Sequence, residues 1–256
     1  MHDWFQTPAG RYLLEWERSR VDAAVVDIFG FHALQLGVAE LDGLQANRMP
    51  HRWLACEVPP SDDAMRNAKR VAVLCDFAAL PFPANSLDLV LLPHSLEFSA
   101  DPHAALREVE RVLVPEGRVV ICGLNPASLW GLRQRRAHLY RKMGFGDLFL
   151  PDGGEFIGYW RLRDWLRLLG FEVEVGEFGC YRPSVTSDKW LHRFEWMDDA
   201  GARWWPIFGA AYFLVAVKRV RGVRLLGPAW KAAPVSQRKS VSVANRTQDN
   251  SFETET

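Results

Sequence analysis

Apolar and polar positions along the chain follow two different periods, and their order predicts an α/β sheet. Seven short apolar or β-rich runs predict strands, at residues 31–38, 51–58, 71–75, 87–92, 118–124, 171–175 and 212–218. The runs at 71–75 and 87–92 are continuously apolar, which is typical of strands covered on both faces. Because helical segments alternate with these runs, we expect a mostly parallel sheet with crossover connections.

Helical spacing of apolar positions defines the segments between the strands. A first helix is expected to begin near Pro8, because Thr7 can cap it and proline suits the first helical position. Its pattern continues to residue 29, and further helices are predicted at 61–69, 102–113 and 161–169. Residues 181–206 are instead rich in Trp and predict an irregular insertion.

The composition is that of one globular domain followed by a tail. Apolar residues make up 48% of the 256 positions and charged residues 24%, which excludes disorder of the whole chain. Residues 1–231 are predicted to form the domain, with its strongest motifs within 71–124. Residues 232–256 are polar and rich in Ser, Thr and Asn, so we expect them to be disordered.

Charge and cysteine usage restrict the partners and the location of the protein. The 31 Lys and Arg residues balance 31 Asp and Glu residues, which argues against a globally basic nucleic-acid binder but leaves a local patch open. No apolar run approaches the roughly 18 residues of a membrane span, and no signal-peptide pattern is visible. The four cysteines form no CxxC pair, which is typical of reduced core residues, and we expect a cytoplasmic location.

Two adjacent motifs carry the most specific signal. The first reads DFAALPFPANSLDLV from Asp76 to Val90, and the second reads DPHAALREVERVLVPEGR from Asp101 to Arg118. Together they resemble class I S-adenosylmethionine-dependent methyltransferases, specifically the type 11 group that includes quinone-biosynthesis enzymes. The resemblance implies a Rossmann-like fold, with a seven-stranded, mostly parallel sheet, one antiparallel strand near 212–218 and helices on both faces. It also implies S-adenosyl-L-methionine as the cofactor, and an acceptor pocket capped by the 181–206 insertion.

The same resemblance places the glycine-rich cofactor loop at Leu34–Leu41, which reads LQLGVAEL where a typical member reads LEIGCGTG. Gly37 matches the first glycine, and Gln35 stands where the family has an acid. Ala39 and Leu41 replace the later glycines, and Leu41 would intrude if the loop followed its usual course. Such glycines let the backbone approach a ligand closely. The alternative is an ordinary strand end that binds nothing.

Two acids are candidates for cofactor binding. Glu57 lies 20 residues after Gly37, the spacing at which an acid accepts the ribose hydroxyls, although a solvated surface glutamate would look the same. Asp76 follows an apolar run, and the resemblance implies that it accepts from the adenine amine while the Phe77 N–H meets the ring. An aspartate that caps a turn is the alternative for Asp76.

His94 follows the 87–92 run, at the edge that faces both methyl donor and acceptor in this family. It is a candidate for cofactor contact and for a general base, because imidazole titrates near neutral pH. A structural or pocket-lining histidine is the alternative. His94, Glu97, Asp101 and His103 could also suggest a metal site, but their spacing matches no established ligand signature, so no metal is expected.

The stretch 117–146 has no acidic residue and includes a run with helical spacing. Leu129, Leu132, Leu139 and Met143 share one face of the predicted helix. Such a helix either contacts an anionic membrane or RNA, or is a solvated helix packed by its apolar face. The arginines that would make the anionic contact are Arg133, Arg135, Arg136 and Arg141.

These observations predict an S-adenosylmethionine-dependent methyltransferase that acts on an unidentified small-molecule acceptor. The alternative is a methyltransferase-like scaffold that has lost cofactor binding, which the degenerate glycine loop would permit. A dinucleotide-dependent oxidoreductase is disfavoured, because the G-x-G-x-x-G fingerprint is missing.

Overall fold

The computed structural model describes residues 2–58, 71–142, 149–150, 154, 156–185 and 187–219. The predicted helix at 61–69 and the predicted disordered tail at 232–256 lie outside these residues. The described strands form one sheet in the order β3-β2-β1-β4-β5-β7-β6. They are β1 His32–Leu36, β2 His51–Cys56, β3 Val71–Leu74, β4 Leu87–Pro93, β5 Leu113–Leu124, β6 Phe171–Gly179 and β7 Ala211–Lys218.

The pairing of the strands confirms the predicted fold class. β1 pairs in parallel with β2 and β4, β2 with β3, and β4 with β5. Only β7 runs against its neighbours, and it lies between β5 and β6. This is the seven-stranded, mostly parallel sheet with one antiparallel strand that the sequence predicts. β5 and β6 are longer than their apolar runs indicated.

Eight helices surround the sheet among the described residues, and the four that begin at residues 8, 102, 129 and 159 correspond to predicted helices. The eight are α1 His2–Phe5, α2 Pro8–Val25, α3 Ser95–Phe98, α4 Pro102–Val112, α5 Leu129–Lys142, α6 Tyr159–Leu168, α7 Asp188–Arg193 and α8 Trp196–Trp204. α2 begins at Pro8 as predicted, and the Thr7 hydroxyl accepts a 3.1 Å hydrogen bond from the Gly10 N–H. The cap satisfies one of the free N–H groups of the first turn.

The core lies on both faces of the sheet. Leu34 of β1 packs with Leu106 of α4 and Leu162 of α6 on one face, and all three are fully buried. Ala33, the neighbouring residue of β1, packs with Val21 of α2 on the opposite face. Successive side chains of a strand point to opposite faces, so this arrangement covers the sheet with helices on both sides.

The connection from β1 to β2, residues 37–50, contains no helix. A parallel crossover of this length is usually helical. Here buried side chains fix it instead, because the Asn47 amide donates to Val25 O and Ile28 O at 2.7 and 3.0 Å. Leu41 is fully buried in the α2 face of the core. Leu41 therefore points into the core and does not occupy the ligand side of the loop.

The Trp-rich segment 181–206 is not irregular, because it contains α7 and α8 and leads into a 3-10 turn at Pro206–Phe208. α5 also differs from its expected packing. It is held by the buried residues Trp130 and Gln134, whereas Leu132 and Leu139 are more than half exposed. Met143 lies outside the described residues.

Candidate active site

Five of the six predicted site residues lie at one edge of the sheet. β1, β2, β3 and β4 run parallel, so their carboxyl ends share an edge. Gly37 follows β1, Glu57 follows β2, the pair Asp76-Phe77 follows β3, and His94 follows β4. In open α/β sheets this edge is where ligands bind.

Gly37 is where the backbone of the edge is most constrained. Its φ of +72° lies in the left-handed region, which favours glycine. Its N–H donates to Ala55 O at 2.8 Å, so the turn is tied to β2. A Cβ at this position would lie 3.2 Å from Ser95 Oγ and 3.7 Å from the Phe77 ring. Gly37 therefore brings the ends of β1, β3 and β4 together.

Gln35 supports this loop from beneath. Its side chain is buried, and Nε2 donates to Val38 O at 2.8 Å and to Leu41 O at 2.6 Å. Its Oε1 accepts from the Gly43 N–H at 3.1 Å. A side chain committed to backbone groups in this way positions the loop and is not directed towards a ligand. The sequence placed Gln35 in the cofactor site, but the geometry makes it a positioning residue.

Glu57 and Phe77 are in direct contact. Glu57 is exposed, and its Oε1 accepts a 3.3 Å hydrogen bond from the Phe77 N–H. The Phe77 ring is buried beneath the glycine turn. The sequence predicted that both residues serve the cofactor, and the structure brings them together at the edge. The N–H expected to meet the adenine ring is engaged by the Glu57 carboxylate in this structure.

Asp76 is also exposed, and its Oδ1 accepts a 2.8 Å hydrogen bond from the Ala78 N–H. This is the turn-capping geometry weighed as its alternative role. An ionised carboxylate has about four lone-pair sites, so one such bond leaves capacity for a ligand amine. The acids also affect Cys75, whose pKa is raised by burial and then by the charges of Glu57 and Asp76. Glu57, Asp76 and Gly37 thus form an acidic group at this edge of the sheet, which we call the cradle.

His94 lies below this cradle, fully buried between two carboxylates. Its Nε2 is 2.7 Å from Glu17 Oε1, and its Nδ1 is 3.0 Å from Glu97 Oε2. The other oxygen of Glu97 accepts from the Leu124 N–H at the end of β5. Glu17 comes from α2, so this triad ties the first long helix to the ends of β4 and β5.

The triad fixes the protonation of His94. Burial alone would lower the pKa of His94, but the carboxylates of Glu17 and Glu97 outweigh it and raise the pKa to about 10. A buried imidazolium with both nitrogens engaged has no free lone pair for a substrate proton. The geometry therefore favours the structural alternative over the general base and over direct cofactor contact.

Sequence reasoning missed Glu17, although a signal for it exists. Leu13, Glu17 and Val21 follow one another at intervals of four along α2, and all three are fully buried. A carboxylate within an apolar helical stripe is costly to bury unless a cation meets it. Such a position signals a buried cationic partner, and the structure identifies that partner as His94.

A second polar network holds the segment 181–206. Asp198 of α8 accepts from the Tyr12 hydroxyl, from the Tyr181 N–H at 3.1 Å and from Arg182 Nε at 2.8 Å. The Arg182 guanidinium also lies 4.5 Å from the centre of the Tyr12 ring. Burial, followed by the nearby Cys180 and Asp198, raises the pKa of Tyr12, so its hydroxyl stays protonated as the donor. α8 is thereby fixed to α2.

The described part of the chain contains no group of three or more His, Cys, Asp or Glu side chains placed to hold a metal ion. Among the same residues, no helix is long and apolar enough to cross a membrane.

The sheet order, the single antiparallel strand and the acids at the ends of β2 and β3 define a class I methyltransferase fold. Residues 41–121 match the family model of a methyltransferase domain, that of the type 11 group. The resemblance read from the sequence is therefore confirmed. A solved structure of similar fold is a methyltransferase from Thermotoga maritima, described as S-adenosylmethionine-dependent and a possible histamine N-methyltransferase. It superposes with a TM-score of 0.57 over 85% of this chain and 94% of that one, at 18% identity, which shows the fold alone.

Two curated relatives share more of the sequence. The protein YafS of Escherichia coli, described as uncharacterized, is 33% identical over 172 residues, which is 66% of this chain and 65% of the relative. A malonyl-[acyl-carrier protein] O-methyltransferase of Halorhodospira halophila is 37% identical over 90 residues, 32% of this chain and 30% of that protein. The chain thus spans less than two thirds of either relative.

Proposed function

We propose that the protein is an S-adenosylmethionine-dependent methyltransferase whose cofactor binds at the carboxyl edge of β1, β2 and β3. One observation carries the proposal. Just before the segment 41–121 that matches a methyltransferase domain, Gly37 lies against Phe77 after β3, and the Phe77 N–H donates to Glu57 after β2. The residues at this edge suit a nucleoside, which presents a diol and an exocyclic amine to its surroundings.

Each residue of the cradle has a distinct task. The Glu57 carboxylate accepts charge-assisted hydrogen bonds from the ribose hydroxyls. The Asp76 carboxylate accepts from the adenine amine, and Gly37 lets the loop backbone approach the ligand without a Cβ in the way. Binding at this site requires Glu57 to exchange its bond to the Phe77 N–H for bonds to the ligand.

The cofactor supplies a methyl group on a positively charged sulfur, which is already activated for transfer. The protein then contributes mainly proximity, orientation and exclusion of water. His94 is held as an imidazolium within the triad, and no base is assigned to the acceptor. The segment 181–206, which the Asp198 network fixes, caps the pocket for the acceptor.

We propose a small-molecule acceptor. The exposed arginines of α5, Arg133, Arg135, Arg136 and Arg141, are proposed to contact an anionic partner. A cytoplasmic location stays a prediction.

Calorimetry with S-adenosylmethionine and its demethylated product tests the proposal directly. Ligand at about 100 times its Kd stabilises the folded state by roughly 2.7 kcal/mol. For a domain of this size that raises the Tm by about 5–10 °C. No heat and no thermal shift at millimolar ligand would refute the enzyme and support the alternative, a scaffold that has lost cofactor binding.

Two variants locate the site. Asp76→Ala and Glu57→Ala each remove a charged acceptor, for which about 1.5–3 kcal/mol is expected. The affinity should therefore fall roughly 10- to 150-fold. Glu172→Ala is the matched control, because Glu172 is exposed at the amino end of β6, on the opposite edge of the sheet. Binding that survives both substitutions would keep the activity class but reject this site.

A further inference from the structure

The last turn of α8 and the chain that follows it towards β7 expose an unusual apolar run. Residues 202–208 read ARWWPIF, and all seven are exposed. The exposed fraction is 74% for Trp204, 50% for Phe208 and 48% for Ile207. Isolated exposed apolar residues are ordinary, but a contiguous group of large ones marks an interaction surface. We name residues 203–208 the aromatic loop.

The fold holds the aromatic loop outward by its backbone. The Asn125 amide donates to Ile207 O at 2.8 Å and to Gly209 O at 2.9 Å. The Tyr181 hydroxyl donates to Pro206 O at 2.7 Å. Because buried groups hold these carbonyls, the side chains between them are presented to the outside by a fixed scaffold.

Further exposed tryptophans precede the loop in the same segment. Trp196 on α8 is 59% exposed and Trp190 on α7 is 51% exposed. The Arg193 guanidinium lies 5.6 Å from the centre of the Trp190 ring. Trp is the residue enriched where an apolar phase meets water, since its ring is apolar and its N–H can still hydrogen-bond.

The basic helix α5 is tied to the same segment. Its Trp130 Nε1 donates to Arg182 O at 2.9 Å, and Arg133 donates to Ser184 O. Outside these contacts α5 exposes leucines beside arginines, with Leu132 55% and Leu139 61% exposed. The stretch 117–146 has no acid to offset the arginines, so this surface is complementary to negative charge.

We propose that the aromatic loop and α5 together bind the surface of an anionic lipid bilayer. Trp204, Ile207 and Phe208 enter the headgroup boundary, and the arginines of α5 meet the lipid phosphates. A nucleic acid fits less well, because aliphatic Ile207 of the loop and Leu132 and Leu139 of α5 make up part of the exposed surface. Aliphatic side chains gain from burial in hydrocarbon, but they offer a base no ring to stack on.

Vesicle co-sedimentation of the full chain without cofactor tests the proposal separately from methyl transfer. We expect binding to vesicles of phosphatidylcholine with phosphatidylglycerol, and weak binding to phosphatidylcholine alone. Replacing Trp204, Ile207 and Phe208 together by Ser should lower the partition coefficient about tenfold or more. Replacing Arg135 and Arg136 by Gln should lower it about fivefold for each charge at low salt and flatten its salt dependence.

Leu168→Ser is the matched control, because Leu168 is 85% exposed at the end of α6, next to the amino end of β6. It should leave vesicle binding unchanged. No binding at low ionic strength, or equal binding by the triple variant, would overturn the proposal. So would RNA binding that the triple variant loses, or a dimer that the triple variant dissociates in analytical ultracentrifugation.

Discussion

The buried triad of Glu17, His94 and Glu97 yields a prediction about rank order. Burial raises the pKa of the Glu97 carboxyl, and the pKa of His94 is raised to about 10, so His94 is the cation that both acidic side chains face. His94→Asn leaves two buried carboxylates without a cation, whereas Glu17→Gln leaves an imidazolium paired with one carboxylate. His94→Asn should therefore be the more damaging change. Asn also tolerates the φ of +53° at this position, so backbone strain does not account for the loss.

The magnitudes follow from the burial of the three side chains, which are at most 2% exposed. Removing one partner from a buried ion pair costs about 3–5 kcal/mol, which we expect for His94→Asn. Glu17→Gln removes the 2.7 Å ionic contact with His94 and leaves the His94–Glu97 pair in place, so we expect a smaller cost of about 1–3 kcal/mol. At about 2–4 °C per kcal/mol, the Tm should fall by about 6–20 °C for His94→Asn.

Urea unfolding at pH 7 measures both variants, and Asp188→Asn is the matched control. Asp188 pairs with Arg11 of α2 at 3.3 Å, but both side chains are about 60% exposed. An exposed pair contributes at most about 1 kcal/mol, so this variant should unfold almost like the wild type. Equal losses for all three variants, or a larger loss for Glu17→Gln than for His94→Asn, would refute the imidazolium.

Titration provides an independent readout of the same triad. The pKa of His94 is raised from its ordinary 6.5 to about 10 in the folded protein. The stability from this group is therefore fully present below pH 6.5 and is lost as pH rises towards 10. Nitrogen NMR of the imidazole should show both ring nitrogens protonated at pH 8. A ring that titrates near its ordinary pKa would contradict the ion triad.

Two shorter predictions concern the glycine loop and the tail. Gln35→Glu exchanges the amide that donates to Val38 O and Leu41 O for a carboxylate, so it should lower the free energy of unfolding by about 3 kcal/mol or more, measured in urea. A loss below about 1 kcal/mol would show that the amide does not hold the loop. A chain that ends at Lys231 should keep its Tm, since the residues beyond it carry few apolar side chains; calorimetry that finds a drop of several degrees would contradict this.

The order of the strands along the chain was predictable because burial on both faces of the sheet requires continuous apolar runs. Ala33 and Leu34 of β1 are adjacent, and both are fully buried in separate clusters, so no polar residue fits at either position. The helices of the segment 181–206 were not predicted, for the opposite reason. α7 and α8 each bury little, with Leu191 and Gly201 as their buried residues, so the segment has no apolar stripe to read.

The candidate site was predictable only as far as topology determines it. Gly37, Glu57 and Asp76 follow parallel strands, and parallel strands must end at one edge. The partners of buried polar groups could not be read in the same way. Glu17 meets His94 across 77 positions of sequence, and that pairing depends on how α2 packs over the sheet.

The glycine loop shows how close packing can survive a change of motif. The family pattern expects a glycine at position 41, where this chain has Leu41 pointing into the core. The close approach to the sheet occurs two residues later, because a Cβ at Gly43 would overlap the Leu91 side chain. The Gly43 N–H bonds to Gln35, whose amide also holds Leu41. Gln35 therefore holds this turn through its amide, and Gly37 stays at the carboxyl edge of the sheet.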